Sequence, residues 1–197
     1  YKALEGAFEK FVAETRGPVI IGVDDDGGKK LASARNAVSL GLDASAEWKI
    51  TELEESWTGV SFNLLDKDNH GLALKLPIPG LHNVKNAACA AVAGIVAGAN
   101  PDAVVQALER FGGVARRFEH RGQTAGITFV DDYAHLPTEV STTISAARTG
   151  NWNRLISVFQ PHRYSRTEAL WKTFRDSFNG TDLLFVTDIY SSGEKVR

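Results

Sequence analysis

The sequence predicts an α/β protein with two blocks of alternating strands and helices and a small antiparallel segment between them. An apolar strand pattern over 19–23 is followed by a polar turn and a helical pattern. After Gly112 and Gly113, strand and helix patterns alternate afresh. Residues 48–76 instead show the two-residue period of half-buried strands. Alternation of strands and helices favours parallel, doubly wound sheets for the two blocks.

The first block is predicted from apolar spacing and from glycine, proline and acidic breaks. In order, the patterns predict a helix over 4–12, a strand over 19–23, an acidic turn over 24–28, a helix from Lys30 to Asn36 and a strand over 37–42. The antiparallel add-on follows, with strands over 48–53, 59–64 and 72–76 and a turn over 66–71.

Two helices then lead to the second block. The first is predicted from about Asn83 to Gly98, and the second ends at Phe111, with Asn100 as N-cap and Pro101 as first helical residue. The second block reads as strand 127–130, helix 138–148, strand 155–159, helix 167–178 and strand 183–187. This order predicts a second parallel sheet, with the domain boundary near Arg116 and Arg117.

Composition limits the classes of function. The 197 residues are 43% hydrophobic and 23% charged, with a formal net charge of -2, which is ordinary for a folded domain. No nucleic-acid partner is expected without a basic excess, and the most apolar segment, 87–99, is too short to span a bilayer. The single Cys89 cannot form an internal disulfide, which favours a reducing cytoplasm. A start at Tyr1 within a helical pattern favours an internal piece of a longer protein.

Two polar segments follow predicted strands, where ligands of open α/β sheets gather. One is residues 131–137, which holds two aspartates, a tyrosine and His135, and the other is residues 160–166, which holds His162, Arg163 and Arg166. Adjacent strands would bring the two segments together. Two arginines three residues apart suit the bidentate binding of a carboxylate or phosphate.

Structural alternatives remain open for each segment alone. The aspartate pair can cap a helix, and an arginine pair in a loop is usually solvated. Zinc binding by His135 and His162 is disfavoured, since no ligand spacing supports it. A phosphate loop at 27–30 is rejected, because Val23 and Lys30 stand where that motif needs glycine and serine or threonine.

A third candidate site begins the long helix. Asn83 and Asn86 lie three residues apart, on one helix face, and an asparagine amide can pair with an adenine edge. The alternative for this site is an ordinary asparagine N-cap. Arg116 and Arg117 at the predicted junction can reach a phosphate or simply pair with carboxylates.

Four motifs in order resemble the Mur ligases of peptidoglycan synthesis. They are GLHNVKNA at 80–87, GGVARRFE at 112–119, DDYAHLPTE at 131–139 and FQPHRYSR at 159–166. Residues Tyr190, Gly193 and Glu194 resemble the family's next segment. Within the family, the similarity is greatest to members that join L-alanine to UDP-N-acetylmuramate in an ATP- and Mg²⁺-dependent reaction.

The resemblance implies domains and roles. Residues 1–117 would be the later part of a central P-loop-type ATPase domain, and 118–197 the first part of a Rossmann-like C-terminal domain. Asn83, Asn86, Arg117 and Asp132 would contact the nucleotide, and Tyr133, His135, His162, Arg163 and Arg166 would bind L-alanine, with Arg117 and His135 as catalytic residues. The magnesium ligands, the phosphate loop and the UDP-binding domain would lie outside these residues, so this piece alone would be inactive.

One departure and two rivals accompany the resemblance. Leu136 stands where family members commonly carry a second histidine, so any role of that imidazole is missing here. A sister ligase that attaches a peptide to UDP-N-acetylmuramate in cell-wall recycling is the first rival. The residues from 160 to 166 favour L-alanine instead. The second rival is a non-catalytic nucleotide-binding module.

Overall fold

The structure, a computed structural model, describes residues 2–35 and 37–195. The chain forms two compact units. Unit 1 comprises the residues up to Glu55, Gly59–Pro77 and Leu81–Gly112, and unit 2 comprises Ser56–Thr58, Ile78–Gly80 and the chain from Gly113 onward. The α/β class predicted from sequence is confirmed. The domain boundary between residues 117 and 118 stays a prediction.

Unit 1 is built on one mixed sheet of five strands in the order β1-β2-β3-β4-β5. Its elements are α1 (Lys2–Glu14), β1 (Ile20–Gly22), α2 (Asp26–Arg35), β2 (Val38–Gly41), β3 (Trp48–Ser56), β4 (Gly59–Leu65), β5 (Gly71–Leu76), α3 (Leu81–Val96) and α4 (Pro101–Glu109). The last residue of β3 is counted with unit 2. β1 and β3 each pair parallel with β2, and β4 pairs antiparallel with β5. Antiparallel pairing is confirmed for β4 and β5, the second and third strands of the predicted add-on. Its first strand, β3, instead pairs parallel with β2 in the same sheet.

Helix α2 begins earlier than predicted. Its first turn includes Gly27 and Gly28, because the carboxylate of Asp25 accepts a hydrogen bond of 2.9 Å from the backbone N–H of Gly28. An aspartate that accepts from the third helical N–H acts as an N-cap. The predicted end of this helix, Asn36, lies outside the described residues.

Helix α3 supplies much of the core of unit 1. Its small apolar face is fully buried at Val84, Ala88, Ala91 and Val92 and packs against the sheet and α4. The helix begins at Leu81, so Asn83 occupies the third helical position rather than the N-cap. The N-cap alternative for Asn83 was therefore wrong.

The predicted start of α4 is confirmed. The side chain of Asn100 accepts hydrogen bonds from the N–H groups of Asp102 and Ala103, and Pro101 is the first helical residue. This helix ends at Glu109, two residues before the predicted end. Helix α1 was also predicted, although its apolar residues Phe8 and Phe11 are exposed.

Unit 2 contains two small sheets. Its elements are β6 (Glu119–Thr124), β7 (Ile127–Asp131), α5 (Pro137–Arg148), β8 (Ile156–Phe159), α6 (Tyr164–Ser177) and β9 (Leu183–Val186). β8 and β9 form the predicted parallel pair, whereas β7 pairs antiparallel with β6 instead of joining them. The prediction that β7 lies in one parallel sheet with β8 and β9 was therefore wrong. β6 was missed because its sequence, EHRGQT, has no apolar alternation.

The core of unit 2 fixes α5 and α6 beside the end of β8. Val140, Ile144 and Phe174 are buried together, and the ring of Phe159 contacts the rings of Phe174 and Phe178. Because Phe159 is the last residue of β8, this packing sets where the following segment starts. Among the described residues, we find no helix with the length and apolarity needed to cross a membrane.

We predict opposite effects for alanine at two helical glycines. A Cβ on Gly28 would collide with the carbonyl oxygen of Gly22, whereas a Cβ on Gly6 meets nothing within 4 Å. Gly28→Ala should destabilise unit 1 by about 1–3 kcal/mol through overpacking. Gly6→Ala, the matched control, should stabilise helix α1 by up to about 1 kcal/mol. Hydrogen exchange of the Val23 amide, which donates to Leu40, measures both; equal effects would contradict the close approach of α2 to β1.

Candidate active site

The loop after β7 is held by the carboxylate of Asp132. One carboxylate oxygen accepts from the N–H of Phe118 at 2.8 Å, and the other accepts from the N–H of Ala134 at 2.7 Å. The N–H of Tyr133 donates to the carbonyl of Arg116 at 2.7 Å. Arg116 and Phe118 take positive φ values of 59° and 47°. These bonds fix the loop against the segment that enters β6.

His135 has a defined proton arrangement. Its Nδ1 lies 2.9 Å from the carbonyl oxygen of Tyr133, which can only accept a hydrogen bond. The neutral imidazole therefore carries its proton on Nδ1, and Nε2 keeps a free lone pair. The side chain is 24% exposed, so this nitrogen is available as a proton acceptor in a partly desolvated place.

The segment after β8 is anchored by the segment after β9. The N–H of Arg163 donates to the carbonyl of Tyr190 at 2.8 Å, and the N–H of Tyr190 donates to the carbonyl of Pro161 at 2.9 Å. Glu194 accepts from the N–H and the hydroxyl of Ser165 in the first turn of α6. Backbone pairing thus sets the path of residues 161–166 before any ligand is considered.

His162 has the opposite proton arrangement. Its Nδ1 lies 3.1 Å from Nη1 of Arg166, and a guanidinium can only donate. Nδ1 must therefore accept, and the proton of the neutral imidazole is on Nε2. Burial lowers the pKa of His162 below its ordinary value, and the charges of Arg166 and Arg163 lower it further. His162 is consequently held neutral more strongly than a free histidine.

The two segments meet, as the sequence predicted. The ring centroids of His135 and His162 are 6.1 Å apart, and the ring of Tyr190 lies 5.5 Å from that of His162. The ring of Tyr133 lies 5.3 Å from His135 and has the guanidinium of Arg116 at 4.8 Å from its centroid. The meeting does not require β7 and β8 to pair in one sheet.

Glu139 joins the loop after β7 to Arg117. Its Oε2 accepts from the N–H groups of His135 and Leu136 at 2.9 and 3.0 Å and lies 3.4 Å from Nδ1 of His135. Its Oε1 lies 3.6 Å from Nη1 of Arg117. Burial raises the pKa of Glu139, but the two backbone bonds and the nearby His135 and Arg117 outweigh it, so the pKa is lowered.

The structure places the predicted residues in four different settings. Tyr133, His135, His162 and Arg166 are linked by ring and hydrogen-bond contacts, and Arg117 lies 6.0 Å from the ring centroid of Tyr133. Arg163 is exposed; its backbone N–H donates to Tyr190, and the charge of its guanidinium acts on His162. Asp132 is engaged by backbone N–H groups, which leaves part of its acceptor capacity free. Asn83 is half-buried and Asn86 is exposed, both in unit 1.

Sequence reasoning assigned no role to Glu139, Tyr190 or Glu194. Glu139 follows Leu136 by three residues at a helix start, and this is the glutamate position of a capping box. Leucine has no side-chain acceptor, so only the glutamate half of that motif forms. Tyr190 and Glu194 follow β9, and the rule that ligands gather after parallel strands pointed to them equally.

We predict that the pKa of His162 lies below its ordinary value and that Arg166→Gln raises it, because one nearby positive charge is removed. Arg175→Gln, in the last turn of the same helix, is the control and should leave the midpoint unchanged. Imidazole NMR titration measures both. An unmoved midpoint in Arg166→Gln would contradict the contact.

The same shift sets the sign of a stability effect. The unfolded chain binds this proton more readily than the folded chain. Above the ordinary pKa of histidine, His162 therefore does not change the free energy of unfolding. As the pH falls from that value through the lowered pKa of the folded chain, protonation favours the unfolded chain and the free energy of unfolding decreases.

Comparisons with known proteins identify the family of this chain. Residues 2–94 match the family model described as Mur ligase middle domain, and residues 116–197 match the model described as Mur ligase, glutamate ligase domain. The UDP-N-acetylmuramate–L-alanine ligases of Crocosphaera subtropica and Desulforamulus reducens are 39% and 40% identical to this chain, over 98% and 95% of it. These matches cover 39% and 42% of the relatives, so the chain spans about two fifths of their length.

A solved structure shows the same likeness. The crystal structure of a UDP-N-acetylmuramate-alanine ligase from Thermotoga maritima superimposes with a TM-score of 0.78 at 28% identity. The superposition covers 96% of this chain and 42% of that one. Together the two family models account for nearly the whole chain, in the order middle domain and then glutamate ligase domain. The chain therefore belongs to the Mur ligase family.

Proposed function

We propose that this chain is part of an ATP-dependent ligase that forms an amide bond between L-alanine and UDP-N-acetylmuramate. The observation that carries the proposal is the cluster of His135, His162 and Arg166, formed by two segments that meet after different strands. The names of the relatives, which are 34–40% identical over most of the chain, support the choice of L-alanine. A peptide-adding recycling ligase is the rival that the experiment below separates.

The amino acid would bind at this cluster. Arg166 and Arg163 supply guanidinium groups for its carboxylate. His135 offers a lone pair on Nε2, and His162 offers a proton on Nε2, so one acceptor and one donor are available for an ammonium group and an oxygen. Tyr133 adds an aromatic wall. A small zwitterion is the ligand class that suits these groups.

The nucleotide assignments remain proposals for each unit. In unit 1, Asn83 and Asn86 would contact the adenine side of ATP, since an amide both donates and accepts. In unit 2, Arg117 would reach the phosphates, and the acceptor capacity left on Asp132 would take ribose hydroxyls.

Magnesium does not fit the carboxylates of this cluster. Both oxygens of Glu139 are engaged, Oε2 by two backbone N–H groups and Oε1 beside Arg117. Asp131 lies 3.6 Å from the guanidinium of Arg116, and the acceptor capacity left on Asp132 is already assigned to ribose hydroxyls. The one group of three potential ligands among the described residues, Asp66, Asp68 and His70, lies in the turn between β4 and β5 of unit 1. We therefore propose that Mg²⁺ ligands of the ligase lie outside this chain.

The proposed reaction has two steps. A carboxylate oxygen of the muramoyl group attacks the γ-phosphorus of ATP, and ADP leaves. The amine of L-alanine then attacks the acyl carbon, the amine loses a proton, and inorganic phosphate leaves. His135 Nε2 is the proton acceptor that this structure offers, and positioning supplies most of the remaining effect. A nucleotide-dependent reaction and the lone Cys89 favour a cytoplasmic location.

We predict that Arg166→Ala and Arg163→Ala in the complete gene product raise KM for L-alanine about tenfold or more, because hydrogen bonds to charged groups contribute about 1.5–3 kcal/mol. KM for ATP should change much less. Arg175→Ala is the control. Phosphate release with UDP-N-acetylmuramate and either L-alanine or an L-alanyl peptide measures the effect. Equal changes in both KM values would overturn the carboxylate site, and preference for the peptide would favour the recycling ligase.

A further inference from the structure

We infer that Glu139 is a positioning residue that holds Arg117 and His135 in place for the ligase reaction. The inference rests on the proposed function, since it assigns a task within that same site. Sequence reasoning gave Glu139 no role. Its two carboxylate oxygens make different contacts. Oε2 accepts hydrogen bonds from the loop after β7, and Oε1 lies near the guanidinium of Arg117.

The Oε2 side fixes the loop. Two consecutive N–H groups, those of His135 and Leu136, point at this oxygen at 2.9 and 3.0 Å. Leu136 precedes α5 and cannot cap the helix with its own side chain, so Glu139 acts as the cap from inside the first turn. The backbone of His135 is therefore held by the carboxylate that lies 3.4 Å from its Nδ1.

The same carboxylate selects the His135 form that the reaction needs. A negative oxygen near Nδ1 favours a proton on that nitrogen, in agreement with the bond from Nδ1 to the carbonyl of Tyr133. Nε2 then keeps its lone pair for the amine proton. Glu139 does not touch the substrate in this arrangement and acts through His135.

The Oε1 side restrains Arg117. This guanidinium is about half exposed, and a long exposed arginine has several rotamers unless a partner selects one. Nη1 of Arg117 lies 3.6 Å from Oε1 of Glu139, and its Cζ lies 6.0 Å from the ring centroid of Tyr133. A restrained arginine loses less conformational freedom when it contacts a phosphate.

The substitution Glu139→Gln separates charge from capping. The amide oxygen of glutamine can still accept the two backbone N–H groups, so the melting temperature should stay close to that of the unchanged protein. The charge that restrains Arg117 and favours Nδ1–H of His135 is lost. We expect kcat of the complete gene product to fall between about tenfold and about a hundredfold, since small displacements of reacting groups are costly.

The kinetic pattern distinguishes positioning from substrate binding. KM for L-alanine should change by less than about threefold, because the carboxylate of L-alanine is assigned to Arg163 and Arg166. Nitrogen-15 relaxation of the arginine Nε–H groups should show increased motion of Arg117 in Glu139→Gln. This readout needs no catalysis, so it decides the inference even if the unchanged protein lacks ligase activity and the proposed function fails.

Asp182→Asn is the matched control. Asp182 also accepts from a backbone N–H, that of Leu155, and from a guanidinium, that of Arg148, elsewhere in unit 2. The substitution Asp182→Asn should increase the side-chain motion of Arg148 alone and leave kcat unchanged. Unchanged motion of Arg117 in Glu139→Gln would overturn the inference, and so would unchanged kcat in an active enzyme.

Discussion

The candidate site depends first on the carboxylate of Asp132. By accepting from Phe118 and Ala134, it ties the start of the loop after β7 to the segment that enters β6. Hydrogen bonds to a charged carboxylate contribute about 1.5–3 kcal/mol each, which is enough to select one loop path. Tyr133 and His135 take their positions from that path, and Glu139 secures its far end. Together with the bond from the N–H of Tyr133 to Arg116, this attachment holds the first half of the loop that faces the segment after β8.

The segment after β8 is fixed by other contacts than the loop after β7. The histidines of the two segments offer complementary hydrogen-bonding groups. Backbone bonds to Tyr190 hold Pro161 and Arg163, and Glu194 holds the first turn of α6. The partners of the two imidazoles, a carbonyl for His135 and a guanidinium for His162, impose opposite tautomers. One ring presents a lone pair and the other a proton. Side chains that look alike in sequence are thus assigned different tasks by their neighbours.

Much of the fold and of this cluster could be predicted from the sequence. Periodicity located nearly every element, and the rule that ligands gather after the strands of α/β sheets pointed to His135 and His162, which do meet although β7 is antiparallel to its partner. Polar β6 could not be found by apolar alternation, and this hid the antiparallel partner of β7. The early starts of α2 and α6 are accompanied by hydrogen bonds to Asp25 and to Glu194 and Tyr190, which periodicity does not report. Glu139 was visible as a capping position, but its reach to Arg117 depends on the folded path of residues 116–118.

The most direct measurement of the central claim is the nuclear Overhauser effect between the ring protons of His135 and His162 in this chain. Ring centroids 6.1 Å apart place edge protons close enough for a cross-peak. We expect that cross-peak, together with those from His135 to Tyr133 and from His162 to Tyr190 within each segment. Cross-peaks within each segment, without one between the two histidines, would contradict the claim that the segments form one site.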